Sequence, residues 1–432
     1  MPSLCSDDRR ALHDLPSIFA TVTDRRYSRE MIIRARTVVT MAREPIENGA
    51  VAIDGATITG VGTFREIAAE HTGEILDLGE QALLPGLINA HCHLDYTMLR
   101  GQIPPQPSFT DWIRQINACK AAFSEKDYRA SIAEGFAEAK RFGTTSIINL
   151  EALPRLIGEF KCSPIRAWWC PEMIDVRERT AAAEILDVER RGLRLRQDPA
   201  GGFGLAPHAL YTASSSLYRQ CSDLALRDNL LLTTHLAESH EEMEMFRDGC
   251  GPLFDFMKAI GRPMEDCGRT TPLALLLSRE KLDQRWIIAH LNELTENDFD
   301  LLADERFHIA HCPRSHRHFG HAAFALDRLR SLGFNICLGT DSLASNSSLS
   351  LFDEMRELQK VAPSLSPRDL LEMVTTNPAS ALGQAKSLGR VRAGYLADLI
   401  SLPLSVSGGD PLEQVVAFDE PVAWMMIDGK RV

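Results

Sequence analysis

Two textures of hydrophobic and polar positions divide the chain. From Met31 to Leu84, short runs such as MIIRARTVVT, AVAIDGATITGVG and EILDLGEQALL are rich in β-branched residues and broken by Gly, Asn and Asp. That is the pattern of short strands and tight turns, with no long amphipathic stretch, and it predicts a small all-β unit. From Leu87 onward the runs are almost continuously apolar: LINAHC, SIINLEA, AWWCPEM, FGLAPHAL, LLLTTHLAES, WIIAHLNEL, FHIAHCPRS and ICLGTDSLAS. Helical stretches such as SIAEGFAEAKRF, AAAEILDVERRGLRLR and HAAFALDRLRSLG separate several of them. Strands apolar on both faces and alternating with helices indicate a parallel sheet with a helical cover. Eight such units predict an α/β fold, a (β/α)8 TIM-type barrel over residues 86–391, with a doubly wound open sheet as the rival.

After Gly394 the pattern returns to short strands, ADLISLPL and VAWMMIDGKRV. Residues 31–85 and 392–432 are therefore expected to fold together as one small β-sandwich. Residues 1–30 are mixed and charged and read as an N-terminal arm, in which Ser6-Asp7-Asp8 is placed to cap a short helix.

The positions of the polar residues favour the barrel over the open sheet. They fall at the C-terminal ends of several strands: His91 and His93 on the first, His208 on the fourth, His235 and Glu238 on the fifth, His290 on the sixth, Asp341 on the eighth. A barrel gathers those ends on one face. Because side chains alternate along a strand, His91 and His93 point the same way and Cys92 the other, into packing.

Charge and composition narrow the class. Lys plus Arg number 47 against 59 Asp plus Glu, a balance of −12 without a basic patch, which argues against nucleic acid as the partner. No apolar run approaches the ~20 residues needed to span a bilayer. The N-terminus lacks a cationic start followed by an apolar core, and the ten cysteines form no C-x-x-C pair. The expectation is a cytoplasmic protein with reduced thiols that acts on a small molecule.

The strand-end residues suit a divalent metal. His91, His93, His235 and Asp341 offer three imidazole nitrogens and a carboxylate, a set matched to zinc, with iron as the alternative. A catalytic site of this kind keeps a place for water and lowers its pKa towards neutrality. Glu238, three residues past His235, is placed to protonate a leaving group or ring nitrogen, and His290 to hydrogen-bond the nucleophile or a developing oxyanion. Asp341 is placed both to bind the metal and to accept a proton. Each residue alone has an ordinary structural reading: a satisfied core histidine, a turn aspartate, a carboxylate at a helix N-terminus. The joint pattern is what points to a metal site.

These residues sit in motifs that resemble the amidohydrolase superfamily, in its mononuclear aminohydrolase branch. The resemblance covers nearly everything from Ile32 to Val432, and the matching pieces are LPGLINAHCHLD, LRG at 99–101, DWI at 111–113, APHALYTAS, THLAES, AHLNEL, AHCPRS, GTDSLASN, NPASALG and GYLADLI. The branch includes cytosine and guanine deaminases, triazine chlorohydrolases, and deaminases of S-adenosylhomocysteine, methylthioadenosine and aminodeoxyfutalosine. The resemblance implies one zinc or iron on His91, His93, His235 and Asp341, with Glu238 as proton shuttle and His290 facing water and substrate. Binuclear relatives carry a carboxylated lysine at the end of the fourth strand; here that strand ends Gly204-Leu205-Ala206-Pro207-His208, which implies one metal. Glu172, just after the third strand, is a rival ligand.

The resemblance implies His208, Asp111, Trp112, Arg100 and His316 as substrate contacts. Asp111 occupies the place of an acidic residue that touches ribose hydroxyls, a place equally suited to helix capping. Arg100 also reads as a loop residue. One departure stands out. Relatives commonly read H-C-P-x-S-N after the seventh strand, whereas this chain reads His311 to His316 with histidine in the asparagine's place, followed by His318 and His321. The cluster suggests a second metal or, as preferred here, a polar loop over the pocket. The expected activity is hydrolytic deamination of an adenine-type nucleoside derivative, most like aminodeoxyfutalosine, S-adenosylhomocysteine or methylthioadenosine. The rivals are guanine deamination, hydrolysis of a triazine or cyclic amide, and a non-catalytic barrel with a structural metal. The last predicts lost ligands, and all are present. Relatives are often dimers or larger.

Overall fold

The computed structural model describes residues 30–157, 164–177, 188, 192, 201–405 and 408–432. The expected N-terminal arm and most of the helix expected from AAAEILDVERRGLRLR lie outside these residues.

The β-rich start forms five strands, β1 (Met31–Val38), β2 (Ile46–Asp54), β3 (Thr57–Thr63), β4 (Glu74–Asp77) and β5 (Gln81–Pro85). An Asp54-Gly55 turn joins β2 to β3 antiparallel, Gly55 taking φ of +58°. The chain's other end adds three strands to the same hydrogen-bonded sheet. Leu399–Pro403 pairs antiparallel with β5, and Trp424–Ile427 and Lys430–Arg431 extend it outward. Ile33, Val51, Leu83, Leu399, Trp424 and Met426 pack into one buried cluster, so both chain ends share a core.

Gly86 carries the chain from this sheet into the barrel. A Cβ there would lie 2.1 Å from the Thr145 side chain, so only glycine allows the approach. The barrel strands follow in chain order: β6 (Leu87–His93), β7 (Thr144–Glu151), β8 (Arg166–Met173), β9 (Gly201–Pro207), β10 (Leu231–Leu236), β11 (Trp286–His290), β12 (His308–His311) and β13 (Asn335–Leu338). Each pairs parallel with its sequence neighbour, and nearly every residue in them is buried, as the apolar runs predict. The eighth strand is broken. β13 pairs with β12, the chain passes through Gly339-Thr340, and the short β14 (Asp341–Ser342) pairs with Cys92 and His93 of β6, closing the ring. A Cβ on Gly339 would fall 2.7 Å from the His91 carbonyl oxygen, so the closure depends on that glycine.

One element differs from the sequence pattern. The helix expected from His321 begins only at Leu326, because Phe324 leaves the chain to stack on the buried His311 ring at 3.9 Å and 6°. The barrel is also tied to the end sheet by charge: Arg166 on β8 reaches both oxygens of Asp398, at 2.6 and 3.1 Å, and also Asp428. Arg166 and Asp398 are both buried. Among the described residues no helix is long and apolar enough to cross a membrane.

Candidate active site

Barrel closure brings the strand ends to one point. His91 and His93 project from β6 with ring centroids 5.0 Å apart; His235 from β10 lies 4.9 Å from His91, and His290 from β11 lies 5.4 Å from it. Asp341 from β14 faces His91 Nε2 at 3.9 Å and His93 Nε2 at 3.8 Å. Cys92, on the opposite face of its strand, is fully buried among apolar side chains, and burial pushes its thiol pKa up.

Backbone and neighbouring side chains aim these groups. His290 and Asp341 take φ values of +73° and +56°, a region costly for any side chain except glycine's hydrogen, and Ala237, between His235 and Glu238, takes +49°. Strained backbone concentrated at three strand ends is characteristic of a functional site. Asp341 Oδ2 accepts the Ser315 hydroxyl at 2.6 Å, and its Oδ1 accepts from Ser342 N at 2.7 Å. His235 Nδ1 donates to the His208 carbonyl at 3.0 Å, which leaves Nε2 as a bare lone pair in the site.

The donor set fits a divalent metal. Both ring nitrogens of His91, His93 Nδ1, His290 Nε2 and Glu172 Oε1 are buried without a hydrogen-bond partner. Buried polar atoms are rarely left so, and a cation would satisfy them. Ligand atoms of His91, His93 and Asp341 lie within 4.8 Å of one another, as do those of His93, Glu172 and His235. Glu172 thus stands beside His93, with Oε1 3.8 Å from its Nδ1, and 3.7 Å from His208 Nε2.

Glu238 sits deep in the same group, its Oε1 3.7 Å from His290 Nε2. Burial, with the charges of Asp341 and Glu242 adding to it, raises its pKa well above the usual carboxylate value. Burial, together with the other histidines nearby, lowers the pKa of His290, which is therefore neutral. The Glu238 backbone is fixed at both ends: its N–H donates to Glu242 at 2.8 Å, and its carbonyl accepts from Asn292 Nδ2 at 3.0 Å. Glu242 is itself buried and pushed up to about 7.

A cavity of about 230 Å³ opens onto this cluster. His93, Glu172, His208, His235, Glu238, His290 and Asp341 lie at its floor, and Trp112, Ile113, Phe256 and Ile260 on its wall. The wall helix, Phe109–Ala122, starts at Ser108, whose hydroxyl accepts from Asp111 N. Glu241 holds the same end by accepting from Phe109 N at 2.8 Å and Thr110 N at 3.0 Å. The lid-like wall is thus tied to a residue three positions past Glu238.

Of the expected substrate contacts, His208 and Trp112 line the cavity, whereas Asp111, Arg100 and His316 do not. Arg114, one turn on, captures the Asp111 carboxylate at 2.8 Å on the helix's solvent side. Arg100 pairs with Glu138, a buried carboxylate that also accepts from Leu349 N. His316 donates to Asn292 Oδ1 at 3.1 Å, so it touches the Glu238 anchor rather than the cavity. His311, His316 and His321 form no metal-capable group among the described residues. Ser315, Asn292 and Glu241 were not among the expected site residues, although Ser315 and Asn292 lie in the motifs AHCPRS and AHLNEL.

A model of the amidohydrolase family matches residues 82–432. The chain belongs to the amidohydrolase family. It is 30% identical over 400 residues to a 5-methylthioadenosine/S-adenosylhomocysteine deaminase of Nitratidesulfovibrio vulgaris, a match covering 89% of this chain and 86% of that one. An adenosine deaminase structure from Xanthomonas campestris, with bound zinc, superposes with a TM-score of 0.78 at 25% identity, covering 93% of this chain and 92% of the other. The aminofutalosine deaminase of Helicobacter pylori, in complex with methylthio-coformycin, gives 0.83 at 22% identity, covering 93% and 100%. In this amidohydrolase, matched over nearly its whole described length by a deaminase, the buried histidine–aspartate cluster fits metal binding, and the protein is an aminohydrolase.

Proposed function

We propose that this amidohydrolase removes the amino group of an adenine-type nucleoside derivative by hydrolysis, releasing ammonia. The observation that carries the reading is Glu238 held 3.7 Å from His290, beside the histidine–aspartate cluster at the floor of a largely apolar cavity. His91, His93, His235 and Asp341 would hold the metal, zinc by the chemistry of the donors. When bound, such a metal supplies the Lewis acidity that makes water a nucleophile near neutral pH.

The protein's own residues do the rest. Trp112 and the apolar wall seat the flat base and keep bulk water out. Glu238 delivers its proton to the ring nitrogen beside the reacting carbon, which draws electron density away as water adds. The neutral His290 hydrogen-bonds the incoming oxygen, and its imidazole costs no charge there. Asp341, positioned by Ser315, accepts the proton that water gives up. Asp341 then passes that proton to the amino group, which leaves as ammonia, while the hydroxyl left on the ring carbon returns a proton to Glu238 and becomes the carbonyl. His208 and Trp112 are proposed as substrate contacts. We further propose that residues 31–85 and 392–432 form one sandwich domain against the barrel at 86–391, which the shared core of the two chain ends supports.

The test is ammonia release by metal-loaded enzyme from adenosine, 5′-methylthioadenosine, S-adenosylhomocysteine, aminodeoxyfutalosine, guanine and a triazine. At least one adenine nucleoside should turn over with kcat/KM above ~10⁴ M⁻¹s⁻¹. Turnover of guanine or the triazine with none of the nucleosides would overturn the reading.

A further inference from the structure

The cavity holds one cation that the deamination chemistry does not use. Lys120, near the end of the wall helix, lines the cavity and is partly buried. Among the described residues its ammonium makes no hydrogen bond or ion pair. It stands 4.8 Å over the Tyr96 ring, which in turn stacks on His93 at 5.7 Å and 12°. The cation is therefore set off from the histidine cluster by one aromatic ring. Asn117, one turn earlier on the same helix face, lines the cavity as well and offers amide donors.

The surroundings make this placement informative. The other acidic side chains of the cavity are Glu172, Glu238 and Asp341, and the wall between is apolar. A partly buried ammonium that feels the charges of Asp95 and Glu172 but has no carboxylate within hydrogen-bond reach gains most from a ligand that brings one. The reacting amino group must approach Glu238 and His290, so a group near Lys120 belongs to the opposite end of the substrate.

We propose that Lys120, with Asn117, is a specificity-determining contact for an anionic group, carboxylate or phosphate, carried by the substrate at the end remote from its reacting amine. The proposal rests on the deaminase reading above. It makes the preferred substrate an adenine nucleoside with a negatively charged 5′ extension rather than a neutral one.

The experiment compares kcat/KM for neutral 5′-methylthioadenosine, S-adenosylhomocysteine (a carboxylate) and adenosine 5′-monophosphate (a phosphate) in wild type, Lys120→Met, Lys120→Glu and Lys120→Arg. The ratio of the preferred anionic substrate to the neutral one should fall about tenfold or more in Lys120→Met, the usual loss for a charge-assisted hydrogen bond, and further in Lys120→Glu. Lys120→Arg should retain most of the ratio, which separates charge from packing. Whichever anionic substrate loses its advantage identifies the group. KM for that substrate should rise with salt in wild type and stay flat in Lys120→Met. If wild type deaminates nucleosides but both ratios stay within about twofold in Lys120→Met and Lys120→Glu, the Lys120 assignment is wrong and the deaminase reading stands. If wild type deaminates adenosine but none of the three, the Lys120 assignment is wrong and the deaminase reading stands; if it deaminates none of these and not aminodeoxyfutalosine either, the deaminase reading fails and the assignment falls with it.

Discussion

Replacing Glu238 by glutamine is expected to lower kcat on the best adenine nucleoside by about 10²- to 10⁴-fold, the range ascribed to a positioned general acid. Glutamine keeps the shape of the side chain and can still donate a hydrogen bond, but it cannot give up the proton. The fold around it should persist, because the anchors of this segment are the Glu238 backbone bonds to Glu242 and Asn292, not its carboxylate. Removing an acid that acts mainly in the transition state lowers kcat and kcat/KM together and leaves KM nearly unmoved. Metal content separates this role from the obvious competitor. Glu238 lies with His290 and Asp341 in a group whose ligand atoms are within 4.8 Å of one another, so it could itself be a ligand. Loss of bound metal in Glu238→Gln would make it one, and a kcat within about tenfold of wild type would remove it from the proton transfer altogether.

The largest effect on stability is expected at the joint between barrel and end sheet. Asp398→Ala removes the buried carboxylate that the buried Arg166 guanidinium meets at two points, while Asp428, which it also meets, is half-exposed. It also removes the acceptor for Asp428 N. Breaking a buried pair from one side costs about 3–5 kcal/mol, because the remaining charge stays desolvated. The measurement is denaturant unfolding followed by two probes, since a protein of this size need not unfold in one step. The double variant Asp398→Leu with Arg166→Met should recover much of the loss, as apolar replacements of buried pairs often do. A single-variant loss below about 1 kcal/mol would mean that the pair is solvated in solution.

What could be read from the chain depended on how local the signal was. His91 and His93 were legible because strand alternation is a property of adjacent residues, and it also sent Cys92 to the core. The barrel was legible from eight apolar runs with polar residues at their C-terminal ends. The break at Gly339-Thr340 was not, because it reflects the meeting of the last strand with His91 on the first. Asp111 shows the converse failure: its motif position suggested a substrate contact, but the helix brings Arg114 within reach on the solvent side. Arg100 and His316 likewise find partners, Glu138 and Asn292, from distant segments. Lys120 and Glu241 carried no sequence signal, since each gains its meaning only from the packing of the wall helix over the strand ends.

The account turns on a metal held at that cluster and used in deamination. The most direct measurement is ammonia release from the preferred adenine nucleoside, alongside metal content, for enzyme as purified, after chelation, and after zinc is restored. The expected result is a rate that falls with bound metal, approaches zero in the depleted enzyme and returns as zinc binds, up to one equivalent per chain. A full rate from enzyme stripped of metal would contradict the account.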